Sequence, residues 1–172
     1  MQSLDLYGWL VATAHPDDST AALSMTSQTL WLCQCFILKT VTITTLSSYV
    51  GTAGATPTAG YNGYGIWAGN NSLTLLGSTA DDTTLWTTAG WRPKALQAAV
   101  TLTAGTSVWL GAIARCGTAP QIRQTVAGIA GMLNGAPAGK TTGSLPTLSA
   151  APASITKSGL TDQAFRPFIV GY

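Results

Sequence analysis

Charged residues are scarce in this chain of 172 residues. Asp, Glu, Lys and Arg make up 8% of it, against roughly a quarter in ordinary soluble domains, and glutamate is absent altogether. Because Glu, Lys and Arg are strong helix formers, their scarcity argues against a helical bundle. The net charge of +2 comes without any cluster of Lys and Arg, which argues against nucleic-acid binding.

Other absences narrow the class further. No apolar run reaches the ~18 residues of a membrane helix, and residues 1–10 lack the basic start of a secretory signal, so we expect no membrane insertion. Cys33, Cys35 and Cys116 are too few for a disulfide framework and are predicted to be buried free thiols. The single histidine, His15, cannot complete a zinc site, and we expect no cofactor.

The residues that are present favour strands. Apolar residues make up 46% of the chain, and Thr, Val, Ile, Trp and Tyr fit pleated surfaces, with Gly and Pro at the turns. The pattern predicts an all-β fold, a jelly-roll-like antiparallel β-sandwich with an N-terminal arm. A short helix is predicted over 121–133, and strands are predicted over 29–38, 40–49, 61–69, 72–79, 84–88, 94–103, 107–114 and the closing FRPFIVGY.

Two segments are expected to make contacts outside the sandwich. Residues 1–27 are predicted to be an attachment arm, with Leu6 and Trp9 among its apolar residues, and residues 28–172 the β-sandwich domain. The strand over 29–38 is apolar on both faces, so we expect one face to meet the core and the other the arm or another subunit. The candidate oligomer or arm contacts are Leu6, Trp9, Trp31 and Ile37.

Aromatic residues cluster in the middle of the chain. Trp31, Trp67 and Trp109 are expected to fill the core or a subunit contact. Trp86 and Trp91 flank a loop and are expected to be more open. Exposed Trp and Tyr stack on sugar rings and anchor interfaces. The candidate residues for glycan or partner contact are Tyr64, Trp86 and Trp91.

The motifs that suggest catalysis or metal binding are incomplete. Residues 14–18, Ala-His-Pro-Asp-Asp, resemble the zinc signature of N-acetylglucosaminyl deacetylases, but the chain has no second histidine. A G-x-S-x-G elbow is absent, so a Ser-His-Asp triad has no support. Asp81 and Asp82 are interpreted as a solvated turn, with calcium binding as the alternative. We therefore expect a protein that is not an enzyme.

A longer resemblance covers the segment Val41–Ala114. Its turns and strands are similar to a β-sandwich domain of minor tail and other virion-surface proteins of phages that infect actinobacteria. The matching stretches are Tyr49–Gly54, Gly65–Gly69 leading into Leu73–Leu76, Asp82–Trp86 and Leu102–Thr106 before Val108–Ile113, with Leu145–Pro146 and Ser154–Thr156 further on.

This resemblance implies a non-catalytic virion structural protein on the outside of a phage particle. The expected form is a homotrimer that acts as a minor tail or host-contact protein and binds other virion proteins, with a host surface glycan as a further partner. Its expected location is the virion, assembled in the host cytoplasm. Two alternatives stay open, a capsid decoration protein that stabilises the head and a carbohydrate-binding module.

Overall fold

Alternating and two-faced apolar patterns become strands in the computed structural model, which describes residues 10–13, 21–126, 142–161 and 165–172. The strands are β1 (Val11–Ala12), β2 (Ala21–Ser24), β3 (Thr29–Phe36), β4 (Val41–Thr52), β5 (Ala55–Pro57), β6 (Gly63–Ala68), β7 (Ser72–Ser78), β8 (Gly90–Trp91), β9 (Lys94–Leu102), β10 (Ser107–Ala114), β11 (Cys116–Thr118), β12 (Gln121–Val126), β13 (Thr142–Leu145), β14 (Ser154–Thr156), β15 (Phe165–Pro167) and β16 (Ile169–Gly171). Within the described ranges the only helical element is the 3-10 turn Lys157–Gly159.

The strands form two large antiparallel sheets and one small ribbon. The eight-stranded sheet has the order β1-β16-β4-β12-β15, with β2 beside β12 and with β8 and β9 beside β4. The six-stranded sheet has the order β13-β3-β10-β6-β7-β14, and β5 pairs with β11. The predicted class, an all-β, jelly-roll-like antiparallel sandwich, is thereby confirmed.

Three apolar clusters occur among the described residues, two large ones and a small one formed by Phe168 and Val170. The inner core lies between the sheets, and its members from β3, β4, β6 and β10 include Trp31, Ile43, Ile66 and Leu110. The second core lies on the other face of the six-stranded sheet. Its members are Leu30, Leu32, Tyr61, Trp67, Leu73, Trp109, Ile113, Ile155 and Leu160.

Residues 142–161, here called the covering segment, complete the second core. At its two ends β13 pairs with β3 and β14 pairs with β7. Between them, the indole N–H of Trp67 donates to the carbonyl of Pro152 at 2.8 Å, and the Leu148 N–H donates to the carbonyl of Gln28 at 2.9 Å. Both faces of β3 are therefore covered within one chain, one of them in an inner core that includes Val11 and Leu23 of the predicted arm, so that another subunit is not needed to cover it.

The described part of the predicted arm belongs to the eight-stranded sheet. Strand β1 pairs with β16, and β2 pairs with β12. Val11 and Leu23 are both buried in the inner core. Leu6, Trp9 and the motif at residues 14–18 lie outside the described residues, so an attachment role for the arm stays a prediction.

The strand predicted over 84–88 is wrong, because this segment forms consecutive turns. One carboxylate oxygen of Asp82 accepts hydrogen bonds from the N–H and hydroxyl of Thr84, at 2.9 and 2.6 Å. The Leu85 N–H donates to the Asp82 carbonyl and the Thr87 N–H to the Thr84 carbonyl. An Asp that bonds the backbone two residues onward favours a turn over an extended chain.

The helix predicted over 121–133 is also wrong where it can be compared. Residues 121–126 form β12, which pairs with β2, β4 and β15, and residues 127–133 lie outside the described ranges. Ile122 and Gln124 are buried and Arg123 is exposed, which is the period of a strand. In the sheet, residues 121–126 form backbone hydrogen bonds with neighbouring strands, whereas a short helix on its own is only marginally stable in water.

Candidate interaction surface

Tyr64 and Trp86 are core residues, which contradicts their predicted contact with a glycan or partner. Both side chains are fully buried, and their rings pack edge to face with centroids 5.3 Å apart. The Trp86 indole N–H donates to the carbonyl of Ile113 at 3.0 Å. The Tyr64 hydroxyl lies 2.9 Å from the Ser48 hydroxyl and donates to the Arg92 carbonyl at 3.0 Å, and burial raises its pKa.

Trp91 is the member of that predicted trio that reaches the surface. Its side chain is 42% exposed. Strand β8 holds it in place by pairing Trp91 with Tyr49 and Gly90 with Val50 of β4. Gly90 has φ of 107°, a value that side chains rarely tolerate and that glycine permits. The backbone therefore delivers Trp91 to the outer face of the eight-stranded sheet at a defined position.

Aromatic neighbours fix the orientation of the Trp91 ring. The Tyr49 ring meets it edge to face at a centroid distance of 5.7 Å and an interplanar angle of 86°. The buried Phe168 ring lies 6.0 Å away, tilted by 60°. The exposed guanidinium of Arg123 sits 4.7 Å above the centroid of Tyr49, within cation–π range. These four residues, Tyr49, Trp91, Arg123 and Phe168, are called the Trp91 surface below.

Polar contacts anchor the chain on either side of Trp91. The Arg92 N–H donates to the Ser48 carbonyl at 2.9 Å, and its guanidinium donates to the Ala89 carbonyl at 2.6 Å. Further along, Lys94 forms an ion pair with Asp82 at 2.8 Å. The bonds from Lys94 and then Thr84 hold the pKa of Asp82 down at about 2.

Asp81 and Asp82 serve as acceptors within the loops rather than as a pair aimed at one ion. The Asp81 carboxylate accepts from the N–H groups of Gly60 and Asn62, at 3.1 and 2.7 Å. Burial alone would raise the pKa of Asp81, but these donors outweigh it and the pKa lies below its ordinary value. The carboxylate oxygens that calcium would need as ligands already accept hydrogen bonds from N–H groups and from the ammonium of Lys94. This favours the predicted turn over the calcium alternative.

Trp31 and Ile37, predicted as oligomer or arm contacts, are buried in the inner core. The correct part of that prediction was that β3 is covered on both faces. Trp67 and Trp109 are fully buried as expected, but in the second core, where the ammonium of Lys157 lies 5.4 Å from the centroid of Trp109. Burial in a single chain leaves Trp31 and Ile37 unavailable to a neighbouring subunit.

An exposed apolar tip was missed by the sequence analysis. Phe36 and Leu38, at the end of β3, are 51% and 79% exposed. Ile37 between them is buried, and it is held by its N–H bond to Thr106 and by the N–H of Gly105. The signal was the alternation at 36–38, where the inward residue is Ile37 and its two neighbours must point away.

The groups that could support catalysis are few in the described ranges. The three cysteines are buried and belong to no disulfide, and burial raises the pKa of the Cys116 thiol, which makes it a poorer nucleophile. No group of three or more His, Cys, Asp or Glu that could hold a metal occurs among these residues. His15 lies outside them.

The described residues contain no helix with the length and apolar character of a membrane span. No protein-family model matches the chain, and no curated protein is significantly similar to it. The fold and surface therefore define a class, an antiparallel β-sandwich with two large apolar cores and an exposed tryptophan, Trp91, on its eight-stranded sheet.

Proposed function

We propose that the chain is a non-catalytic structural protein of a bacteriophage virion, displayed on the particle exterior as a homotrimer. The resemblance to virion-surface domains supports this proposal, and its stretches coincide with strands at the centre of the sandwich. Tyr49–Thr52 lies in β4, Gly65–Ala68 in β6, Leu73–Leu76 in β7 and Val108–Ile113 in β10. The resemblance thus includes strands of both sheets as well as the turns at Asp82–Trp86 and 103–106.

The observation that carries the assembly part of the proposal is the apolar tip. Phe36 and Leu38 are exposed side by side next to the turn 103–106, whose exposed residues Thr103, Ala104, Gly105 and Thr106 carry no charge. Backbone bonds at Ile37 hold the two side chains in place, so they cannot fold back onto the core. Contact with another subunit would bury this apolar surface, and each Å² removed from water stabilises the complex by about 25 cal/mol.

Two placements on the particle compete within this proposal. A trimeric minor tail protein would contact the host, and the resemblance favours this placement. A capsid decoration protein would clamp neighbouring shell subunits, and the short chain with its N-terminal arm suits that role. Antibody labelling of purified particles in the electron microscope separates the two, because the label falls on the tail or on the head. Particles without any label would contradict a virion role.

The assembly is tested by light scattering of the purified protein at several concentrations. We expect a trimer, and we expect the double variant Phe36→Ser, Leu38→Ser to dissociate it with little change in melting temperature, because both side chains lie outside the cores. Leu76→Ser is the matched control, since Leu76 is exposed elsewhere, on β7. A monomeric wild-type protein at every concentration, or a trimer that survives the double variant, would contradict this assignment.

A further inference from the structure

Trp91 differs from every other tryptophan in the described part of the chain. Trp31, Trp67, Trp86 and Trp109 are buried, whereas Trp91 keeps 42% of its side chain exposed. Burying a side chain of this size is worth about 1.5–3 kcal/mol, so an exposed position gives up stabilisation that the other four provide. An exposed tryptophan whose orientation is nevertheless fixed is a common property of binding sites.

The geometry around Trp91 is organised before any ligand arrives. Its backbone pairs with Tyr49, and its ring contacts the rings of Tyr49 and Phe168 at 5.7 and 6.0 Å. Phe168 is itself buried and supports the cluster from below. A ligand that stacks on Trp91 therefore loses little additional side-chain entropy from the protein, which favours binding.

A polar group lies on the other side of Tyr49 from the exposed ring. Arg123 belongs to β12, which borders β4 on the edge opposite to β8, and its guanidinium is held 4.7 Å above the Tyr49 ring; the residue is exposed. A guanidinium carries N–H donors in a planar fork that reach hydroxyl and carbonyl oxygens. The Trp91 surface thus combines one flat apolar platform on β8 with a guanidinium over the adjacent Tyr49 ring.

The size of the platform indicates the occupant. A stable protein interface needs about 800 Å² on each partner with an apolar centre, but away from the Trp91 surface the exposed residues of β4 and β9 include hydroxyls such as Thr42 and Thr101, 3.1 Å apart. A pyranose ring fits better, because it has one face of C–H groups and a rim of hydroxyls, and it covers a single indole.

We propose that the Trp91 surface binds a pyranose ring of a polysaccharide, with Trp91 stacking on the C–H face of the sugar. This site replaces the platform of Tyr64, Trp86 and Trp91 expected from the sequence. The proposal does not depend on a virion role, because it rests on the arrangement of four residues in one chain. A protein found on no particle could still bind sugar, and a trimeric virion protein could fail to.

The test is titration of the full-length protein with soluble tetrasaccharides built from glucose, galactose, mannose or N-acetylglucosamine. Binding is followed by the indole N–H resonances in nuclear magnetic resonance spectra, and Trp91→Phe assigns the Trp91 signal. We expect one of these oligosaccharides to shift the Trp91 resonance and to leave those of the buried Trp67 and Trp109 in place. Trp91→Ala should weaken the binding at least about tenfold, equivalent to about 1.4 kcal/mol, and Trp91→Phe less.

Leu76→Ala is the matched control, because Leu76 is an exposed apolar residue on β7 of the six-stranded sheet, outside both the Trp91 surface and the apolar tip. It should bind the sugar like the wild-type protein. The proposal is overturned if no tetrasaccharide moves the Trp91 resonance, or if Trp91→Ala binds as tightly as the wild type. Equal losses in Trp91→Ala and Leu76→Ala would also overturn it, since they would indicate non-specific adhesion to exposed apolar residues.

Discussion

The outer faces of the two sheets both carry tryptophan residues, but these are buried on one sheet and exposed on the other. On the six-stranded sheet, Trp67 and Trp109 point outward and are fully buried, because the covering segment packs over them. On the eight-stranded sheet, Trp91 points outward and stays 42% exposed beside Tyr49. The comparison teaches that the chain lying over a strand decides whether its outward aromatic residue belongs to a core or to a surface.

The largest expected effect separates the two faces directly. Trp67→Ala should lower the free energy of unfolding by about 3–5 kcal/mol, because it empties the second core and removes the indole bond to Pro152. Trp91→Ala should lower it by less than about 1 kcal/mol, as for an exposed residue. Urea denaturation of the two variants measures both values. Equal losses would mean that the two faces do not differ as described.

A smaller loss is expected when the covering segment alone is loosened. Leu160 is buried in the second core, and its side chain packs where a Cβ on Gly143 would lie. Leu160→Ala should cost about 2–4 kcal/mol. In hydrogen exchange, protection should fall first in residues 142–161, while β4 and β16 keep theirs. Uniform loss of protection over both sheets would show that the covering segment and the inner core unfold as one unit.

The sequence predicted the strands of the sandwich better than it predicted the use of its aromatic residues. The segments 29–38, 72–79, 94–103 and 107–114 were correct, because each is a run rich in β-branched and apolar residues with polar or turn-forming residues at its ends. Exposure of Trp86 was predicted wrongly, since the turns that begin at Asp82 fold its ring inward against Tyr64. The spacing of residues along the sequence does not indicate a tertiary contact of this kind.

The covering segment was equally hidden in the sequence. Residues 142–161 are rich in Gly, Pro, Ala, Ser and Thr, a composition that indicates loops. Only the apolar residues Leu145, Leu148, Ile155 and Leu160 hint at packing, and their irregular spacing follows no strand or helix period. The excess of apolar residues on β3 signalled that something must cover it, but it could not identify the covering chain.

The smallest expected effect concerns the loop that leads to Trp91. The Asp82 carboxylate has a pKa of about 2 in the folded protein, against 3.8 for the free group. A depressed folded pKa adds stability above pH 3.8, and this contribution is lost as the pH falls through that value toward about 2. Asp82→Asn should cost about 1 kcal/mol at neutral pH and should flatten this part of the acid denaturation curve. An unchanged curve would contradict the role given to the Lys94 pair.

The central claim is that the outward tryptophans of the six-stranded sheet are covered whereas Trp91 of the eight-stranded sheet is exposed, and oxidative footprinting of the native protein tests it most directly. Hydroxyl radicals label accessible indoles, and mass spectrometry of the peptides gives a rate for each tryptophan. The account predicts rapid labelling of Trp91 and slow labelling of Trp67, Trp86 and Trp109. Labelling of Trp67 and Trp109 as fast as that of Trp91 would contradict it, because the second core would then be open to water.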